Sequence, residues 1–244
     1  MVWNMENNRS LLKMSSVDIV PNLSVRIPTV GEILEDEKSY YTLINSLTAT
    51  PFQYMVQLDD MGIDFTTIND YQLFLLIFPS FAKTDMSILF GNIDFSDIEV
   101  KTNTQNDSAI LHSEKNDIII DELVYSEIVK AIRKINGLQR ENRKPGNDEA
   151  KEFRINLERK KQKRNARKPY DPYLEKMVVA LVNRPEFKYN YEQVEDLSIY
   201  QFNKSFEQIK TSINFENTMI GVYAGTVDTS KLKDKSCLSW LPIK

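Results

Sequence analysis

The sequence predicts a mainly α-helical protein with a small antiparallel β-meander, an α+β fold. Only seven glycines and nine prolines occur in 244 residues, too few for the many tight turns of a sandwich or barrel. Three helix-start signals fall close together in the N-terminal third, and several later segments carry apolar residues at helical spacing. One stretch of alternating residues after Gly91 interrupts this pattern and indicates short strands.

The first part of the chain predicts a tail followed by a helical module. Residues 1–24, including Trp3, have no periodicity and are interpreted as a flexible N-terminal tail; residues 25–136 form the module. Within it, Thr29 and Glu32 make a capping box that should start a helix running to Leu47.

Two more helices are expected in this module. Thr50, Pro51 and Gln53 have the residue types of a second helix start, and that helix should stop near Gly62. Asn69 opens a third helix, and Pro79 should end it because proline cannot continue a helical hydrogen-bond pattern.

The meander and a further helix complete the module. Alternation and turn residues predict two or three short antiparallel strands, drawn from Ile98–Val100, Ala109–His112 and Asp117–Ile120. Asp121 then caps a helix whose apolar residues lie on one face. They are Val124, Ile128, Ala131, Ile132 and Ile135.

The second half predicts a linker with a basic helix, residues 137–170, and a C-terminal helical module, residues 171–244. The basic helix should start at Asn147 or Asp148 and be exposed to solvent. Asp171 and Pro172 should cap the next helix. A long last helix begins at Ser198, and its apolar stripe must meet another helix. That stripe comprises Ile199, Phe202, Phe206, Ile209 and Ile213.

The basic segment, residues 154–168, is the main candidate binding site. Eight basic residues against the single acid Glu158 give it a charge of +7, and because the chain carries −4 the remainder carries −11. The basic residues are Arg154, Arg159, Lys160, Lys161, Lys163, Arg164, Arg167 and Lys168. They could contact nucleic-acid phosphates, or dock on an acidic surface of a partner or of the protein's own body. The acidic remainder, and the lack of aromatic residues from Glu158 to Lys168, favour a protein partner.

Two aromatic features are further candidates for partner contacts. Trp240, in the terminal LSWLP, is either the anchor of a docking peptide or part of a tail folded back on the body. A dense aromatic group is explained by core packing or by a partner surface. Its members are Phe187, Tyr189, Tyr191, Tyr200, Phe202 and Phe206.

The sequence argues against enzymatic activity, a cofactor or a metal ion. Cys237 is the only cysteine and His112 the only histidine, so neither a disulfide nor a histidine-based triad can form within the chain. Asp59, Asp60 and Asp64 do not have EF-hand spacing and are interpreted as turn residues at a helix end. We expect catalytic and metal-binding residues to be absent.

The composition predicts an intracellular protein that does not bind membranes. The first thirty residues lack the apolar core of a signal peptide. The longest apolar run, residues 73–78, is far shorter than the roughly twenty residues that span a bilayer.

Several segments resemble a family of uncharacterised proteins encoded among tail genes in tailed phages and prophages of low-GC Gram-positive bacteria. The segments are SVRIPTVGEILEDEKSYY, MVQLDDMGIDF, VVALVN, FKYNYEQVEDLSIYQFNKSFEQI and GVYAGTVD. The resemblance implies a tail assembly chaperone, or a structural tail or baseplate component, with tape-measure, tube or baseplate proteins as partners. It implies action in the host cytoplasm during assembly, or presence in the virion. It assigns no functional residue.

Overall fold

The computed structural model of the protein describes residues 10–81, 84–103, 108–141 and 143–241. Helices account for 54% of the structure and strands for 10%, which confirms the predicted α+β class dominated by helix. The strands form two small antiparallel sheets, one of two strands and one of three.

A β-hairpin occupies much of the segment predicted as a flexible tail, so that prediction is wrong for residues 10–24. Strand β1 (Ser16–Val20) pairs antiparallel with β2 (Leu23–Arg26), through a turn where Asn22 adopts a positive φ of 67°. Leu23 and Val25, two residues apart, point to the same face and are almost fully buried there. Residues 1–9, with Trp3, lie outside the described residues.

The helix predicted from Thr29 to Leu47 is divided at Asp36 into α1 (Val30–Glu35) and α2 (Glu37–Leu47). Thr29 and Glu32 form the expected capping box. Asp36 interrupts the helix because its carboxylate accepts a hydrogen bond from the Ser39 amide and starts a new one.

The next two helices also differ from their predicted ends. Residues 51–54 form a turn, and α3 covers only Met55–Asp60, although the Gln53 side chain does accept a hydrogen bond from the Thr50 amide. Helix α4 (Asp70–Phe81) starts as predicted but continues through Pro79.

The predicted meander is confirmed. A short helix, α5 (Ser87–Phe90), precedes strands β3 (Glu99–Thr102), β4 (Ala109–Ser113) and β5 (Ile118–Ile120), which pair in sequence order. Helix α6 (Glu122–Asn136) follows at the Asp121 cap.

Four helices form the C-terminal half of the fold: α7 (Asp148–Asn165), α8 (Leu174–Val182), α9 (Tyr191–Glu195) and α10 (Ile199–Tyr223). Ser198 caps α10 at the predicted start, and Ile199, Phe202 and Ile209 of the apolar stripe are buried.

Helix α8 is capped by a distant side chain and not by Asp171 and Pro172, so that prediction is wrong. The buried carboxylate of Glu37 on α2 accepts hydrogen bonds from the amides of Tyr173 (2.6 Å), Leu174 (2.9 Å) and Glu175 (3.3 Å). A remote carboxylate thus satisfies the orphan amides at the start of α8.

The predicted N-terminal and C-terminal modules do not have separate cores. One large hydrophobic cluster runs from Leu11 to Ile209 and includes residues of α1, α2, α6, α8 and α10. At its edge the amide of Val30 donates to the carbonyl of Leu197, and the amide of Ile199 donates to that of Pro28. The two halves are therefore packed as one body.

A second, smaller hydrophobic cluster brings α7 to this body. Its buried members are Ala49, Met55, Val56, Leu58, Phe65, Leu73 and Ile155. Only Ile155 comes from α7, and the others lie on or beside α3 and α4.

Candidate interaction surface on the basic helix

Helix α7 forms despite its high charge because the residues at its two ends stabilise a helix. Asn147 accepts a hydrogen bond from the Ala150 amide and caps the start. Asp148 and Glu149 lie in the first turn, and Lys163 and Arg164 lie in the last, so the charges complement the helix dipole.

Hydrogen bonds from two residues attach the linker before α7 to the body. Thr50 donates its hydroxyl to the carbonyl of Glu141 at 2.6 Å. Arg140 makes two hydrogen bonds to the carboxylate of Asp70, at 3.0 and 3.1 Å. These contacts fix where α7 can begin relative to α3 and α4.

One face of α7 docks on the acidic end of α3. Arg159 binds Asp59 and Asp60 at once, at 2.7 and 2.5 Å. Lys151 binds Asp64 at 2.8 Å, and beside these pairs Ile155 enters the small hydrophobic cluster. The basic helix therefore docks on an acidic surface of its own body, one of the readings left open by the sequence.

One further contact holds this inward face. The guanidinium of Arg154 lies 5.9 Å from the centre of the Phe52 ring, a cation–π distance. The Lys151 side chain and the amide and hydroxyl of Thr66 donate hydrogen bonds to Asp64, which lowers the pKa of that carboxyl to about 2.

The three acids Asp59, Asp60 and Asp64 thus bind side chains of α7. Hydrogen bonding to Asp60 raises the pKa of Arg159, and hydrogen bonding to Asp64 raises that of Lys151. Across the residues described by the structure, no group of three His, Cys, Asp or Glu side chains is arranged to hold a metal ion.

The opposite face of α7 carries unpaired positive charge. Lys160, Lys163, Arg164 and Arg167 follow at i, i+3, i+4 and i+7, and Lys168 comes directly after them. All five are exposed, and none makes an ion pair with any part of the chain that the structure describes. Lys161 is also exposed but pairs with Glu158 at 3.3 Å.

Two large apolar side chains extend this outward face towards the start of α7. Phe153 is 69% exposed and Leu157 is 57% exposed. With Lys160, Arg164 and Arg167 they follow at spacings of 4, 3, 4 and 3 residues, so they share one stripe, the last member lying in the turn after the helix. We call this stripe of five residues the outer seam.

The eight predicted binding residues are thus divided by the structure. Two of them, Arg154 and Arg159, face the body. The other six are exposed to solvent, and of these only Lys161 makes an ion pair with a residue that the structure describes. The predicted exposed basic helix is confirmed: Ile155 is the one buried residue of α7, and with the ion pairs it anchors the inward face.

Trp240, the remaining predicted site residue, lies on the segment after α10. The residue is 57% exposed, and its carbonyl accepts a hydrogen bond from the Gln208 side chain at 2.8 Å. Among the described residues no hydrogen bond or ring contact joins it to α7. The terminal segment is thus folded back along α10 with its indole left at the surface.

The aromatic group near α9 is divided between core and surface. Phe187 and Phe202 are buried and meet edge to face, with ring centres 6.3 Å apart. Tyr189 and Tyr191 are exposed. Core packing, one of the two interpretations expected, therefore explains Phe187 and Phe202.

Comparison with known proteins finds a similarity over the last third of the chain. Residues 160–243 match a family model described as the YomV second domain. This family is of phage and prophage type, since YomV is a Bacillus prophage protein. The matched segment starts at Lys160 in the outer seam and extends through α8, α9 and α10. No curated protein and no solved structure matches the chain.

The described helices include none that is long and apolar enough to cross a membrane.

Sequence reasoning missed the outer seam. The available signal was the 4, 3, 4, 3 spacing of Phe153 and Leu157 with the cations that follow them. The role of Asp59 and Asp60 was also missed, because nothing in the chain order shows that they meet Arg159 a hundred residues later.

Proposed function

We propose that this protein is a non-enzymatic assembly protein of a tailed phage or prophage, which binds other tail proteins in a chaperone-like manner. The partners we propose are tape-measure, tube or baseplate proteins. It would act in the host cytoplasm during assembly. A structural tail or baseplate component that stays in the virion is the close alternative.

The observation that carries this proposal is the outer seam of α7. Phe153 and Leu157 expose apolar surface beside unpaired cations, on a helix that is held from behind by Ile155 and Arg159. Large exposed apolar side chains next to complementary charge are typical of protein-binding surfaces. The YomV-type match supports the phage setting, while the tail role rests on the resemblance given above.

Nucleic-acid binding is the second candidate, and the five unpaired cations at 160–168 favour it. Such a cluster would contact phosphates, and binding would weaken steeply with salt. The apolar half of the same stripe argues against nucleic-acid binding. Phe153 and Leu157 can form neither a hydrogen bond nor an ion pair with a phosphate.

The test is a comparison of bound proteins with virion contents. The tagged chain is purified from nuclease-treated, phage-producing cells, and the co-purifying proteins are identified by mass spectrometry. Tape-measure or baseplate proteins in the eluate, with the chain absent from purified virions, are the expected result. Presence in virions would make it a structural component, and recovery of nucleic-acid machinery alone would overturn the tail proposal.

A further inference from the structure

We infer that the outer seam of α7 binds one antiparallel helix of a partner protein, with acidic residues in the N-terminal half of that helix and apolar residues in its C-terminal half. This inference rests on the proposed function, because it names the kind of segment that a tail protein would present. The juxtaposition that carries it is Phe153 and Leu157 followed, on the same stripe, by Lys160, Arg164 and Arg167.

The spacing of the seam points to a helical partner. Residues at alternating intervals of four and three form a continuous stripe along a helix, the geometry with which one helix packs lengthwise on another. The seam follows this spacing over 153, 157, 160, 164 and 167. An extended strand or a loop would not match side chains on successive turns in this way.

The charge of the seam determines the chemistry of that helix. Its C-terminal half carries Lys160, Arg164 and Arg167, flanked by Lys163 and Lys168, and none of the five is neutralised by a described carboxylate. A facing helix must therefore supply carboxylates there, and like charge would be repelled. Its other half must be apolar, because Phe153 and Leu157 offer no hydrogen bond.

The helix dipole determines the direction of that helix. In an antiparallel pair, the basic C-terminal half of α7 lies beside the N-terminal half of the partner. Carboxylates are favoured near a helix N-terminus and disfavoured near a C-terminus. The antiparallel pairing satisfies this preference, whereas a parallel pairing would require acids near the end of the partner helix.

The body of the protein leaves the seam open to such a helix. The acids of the body that pair with α7, Asp59, Asp60 and Asp64, are bound by Arg159 and Lys151 on the inward face. The seam lies on the other side of the same helix. The charge that docks α7 is therefore separate from the charge that would bind a partner.

The experiment uses the full chain and two labelled synthetic helices of about five turns each. The acid-first peptide has glutamates at the heptad positions of its N-terminal half and leucines at those of its C-terminal half. The acid-last peptide has the reverse order and the same composition. Fluorescence anisotropy gives the dissociation constants at low salt and at about 0.5 M salt. A labelled DNA duplex serves as the third probe.

Two variants remove the two halves of the seam, and each has a matched control. The first, Phe153→Ser with Leu157→Ser, is compared with Leu123→Ser and Val179→Ser, which change two other exposed apolar side chains. The second reverses to glutamate the three cations of the seam, Lys160, Arg164 and Arg167, and the flanking Lys163. Its control reverses four exposed lysines elsewhere: Lys38, Lys188, Lys210 and Lys233.

We expect the acid-first peptide to bind about tenfold more tightly than the acid-last peptide. Both seam variants should weaken that binding by about tenfold or more, and only the charge reversal should also remove its salt dependence. The two controls should leave it unchanged. Equal binding of both peptides, binding of neither, or duplex binding that displaces the acid-first peptide would overturn the inference.

The failure of this inference is distinguishable from failure of the proposed function. If tail proteins co-purify with the chain but neither peptide binds, the outer seam is not their docking site and the proposed function stands. If the acid-first peptide binds as expected but no tail protein co-purifies, the binding mode stands and the tail proposal fails.

Discussion

Helices α6 and α7 follow each other in the chain and have similar lengths, yet they are held in opposite ways. Helix α6 buries six residues: Tyr125, Ile128, Val129, Ala131, Ile132 and Ile135. Helix α7 buries only Ile155, and its other anchors are partly exposed ion pairs. An apolar stripe makes α6 part of the core, whereas α7 is attached to the surface.

The difference teaches where this protein can place a binding surface. Buried apolar area stabilises at about 25 cal/mol per Å², whereas exposed ion pairs contribute little and weaken with salt. A helix held by few residues keeps the rest of its side chains for other contacts. Helix α7 therefore presents a cationic and apolar face that α6 could not present without losing its place in the core.

The largest expected effect is in α6. Ile132 is fully buried in the main cluster, so Ile132→Ala should lower the free energy of unfolding by about 2–5 kcal/mol. Urea denaturation followed by circular dichroism measures this. The exposed Leu123 on the same helix is the control, and Leu123→Ala should change little. A loss at Ile132 no larger than that at Leu123 would contradict the assignment of α6 to the core.

A smaller effect on the free energy of unfolding is expected at Glu37, whose buried side chain is charged. Glu37→Gln should cost about 1–3 kcal/mol, because the start of α8 loses its charged acceptor. Desolvation raises the pKa of Glu37, but hydrogen bonds from Leu174, Tyr170, Tyr173 and Glu175 outweigh it and lower the pKa overall.

The stabilisation by Glu37 should therefore depend on pH. A lowered pKa in the folded state means that the stabilisation is present above the ordinary pKa of a glutamate and is lost as the pH falls through the lower folded value. Urea denaturation of the wild type and of Glu37→Gln should converge in that acidic range. A constant difference across it would argue against the cap.

Salt should weaken the attachment of α7 to the body and leave the packing of α6 unchanged. Arg159→Ala removes the contact with Asp59 and Asp60, so amide hydrogen exchange in residues 150–165 should become faster. Exchange in α6 should stay unchanged. High salt should have the same effect on the wild type. Lys161→Ala is the control, because its pair with Glu158 lies within α7. Unchanged exchange after Arg159→Ala would show that Ile155 alone holds the helix.

The ion pair between Lys151 on α7 and Asp64 in the loop after α3 can be tested by measuring the pKa of the Asp64 carboxyl. The pKa of Asp64 is about 2 because Lys151 and Thr66 donate hydrogen bonds to it. Lys151→Ala should raise it towards its ordinary value, which carboxyl NMR titration measures. The ion pair should persist as the pH falls to about 3 and be lost near 2, since a lowered pKa delays protonation. No change in Lys151→Ala would mean that Thr66 alone sets this pKa.

The smallest effect on stability is expected at the outer seam. Phe153→Ser and Leu157→Ser should each change the free energy of unfolding by less than about 0.5 kcal/mol, because both side chains face solvent. Urea denaturation checks this. A large loss would mean that these residues belong to the fold and do not form a free surface.

Much of the architecture could be predicted because it depends on local signals. The cap at Thr29, the stripe of α6 and the start of α10 at Ser198 are all encoded within a few residues. The break at Asp36 was missed because the helical pattern on its two sides is continuous in sequence. The hairpin β1–β2 was missed because its short strands gain stability only from the core beneath them.

The excess of positive charge at the candidate site could be predicted from the sequence. Which of its residues form the exposed surface could not. The eight basic residues between Arg154 and Lys168 are visible in the sequence. Which of them point outward depends on Asp59 and Asp60, which lie a hundred residues earlier and meet Arg159 only in the fold.

By itself the sequence determined the fold class, most helix starts and the position of the excess positive charge, since these follow from periodicity, capping and composition. Only the tertiary structure decided which face of α7 is used internally, how Glu37 caps α8, and that both halves of the chain share one core. These contacts join residues far apart in sequence, so no local pattern encodes them. They arise when the chain buries its apolar stripes and pairs the charges that this burial brings together.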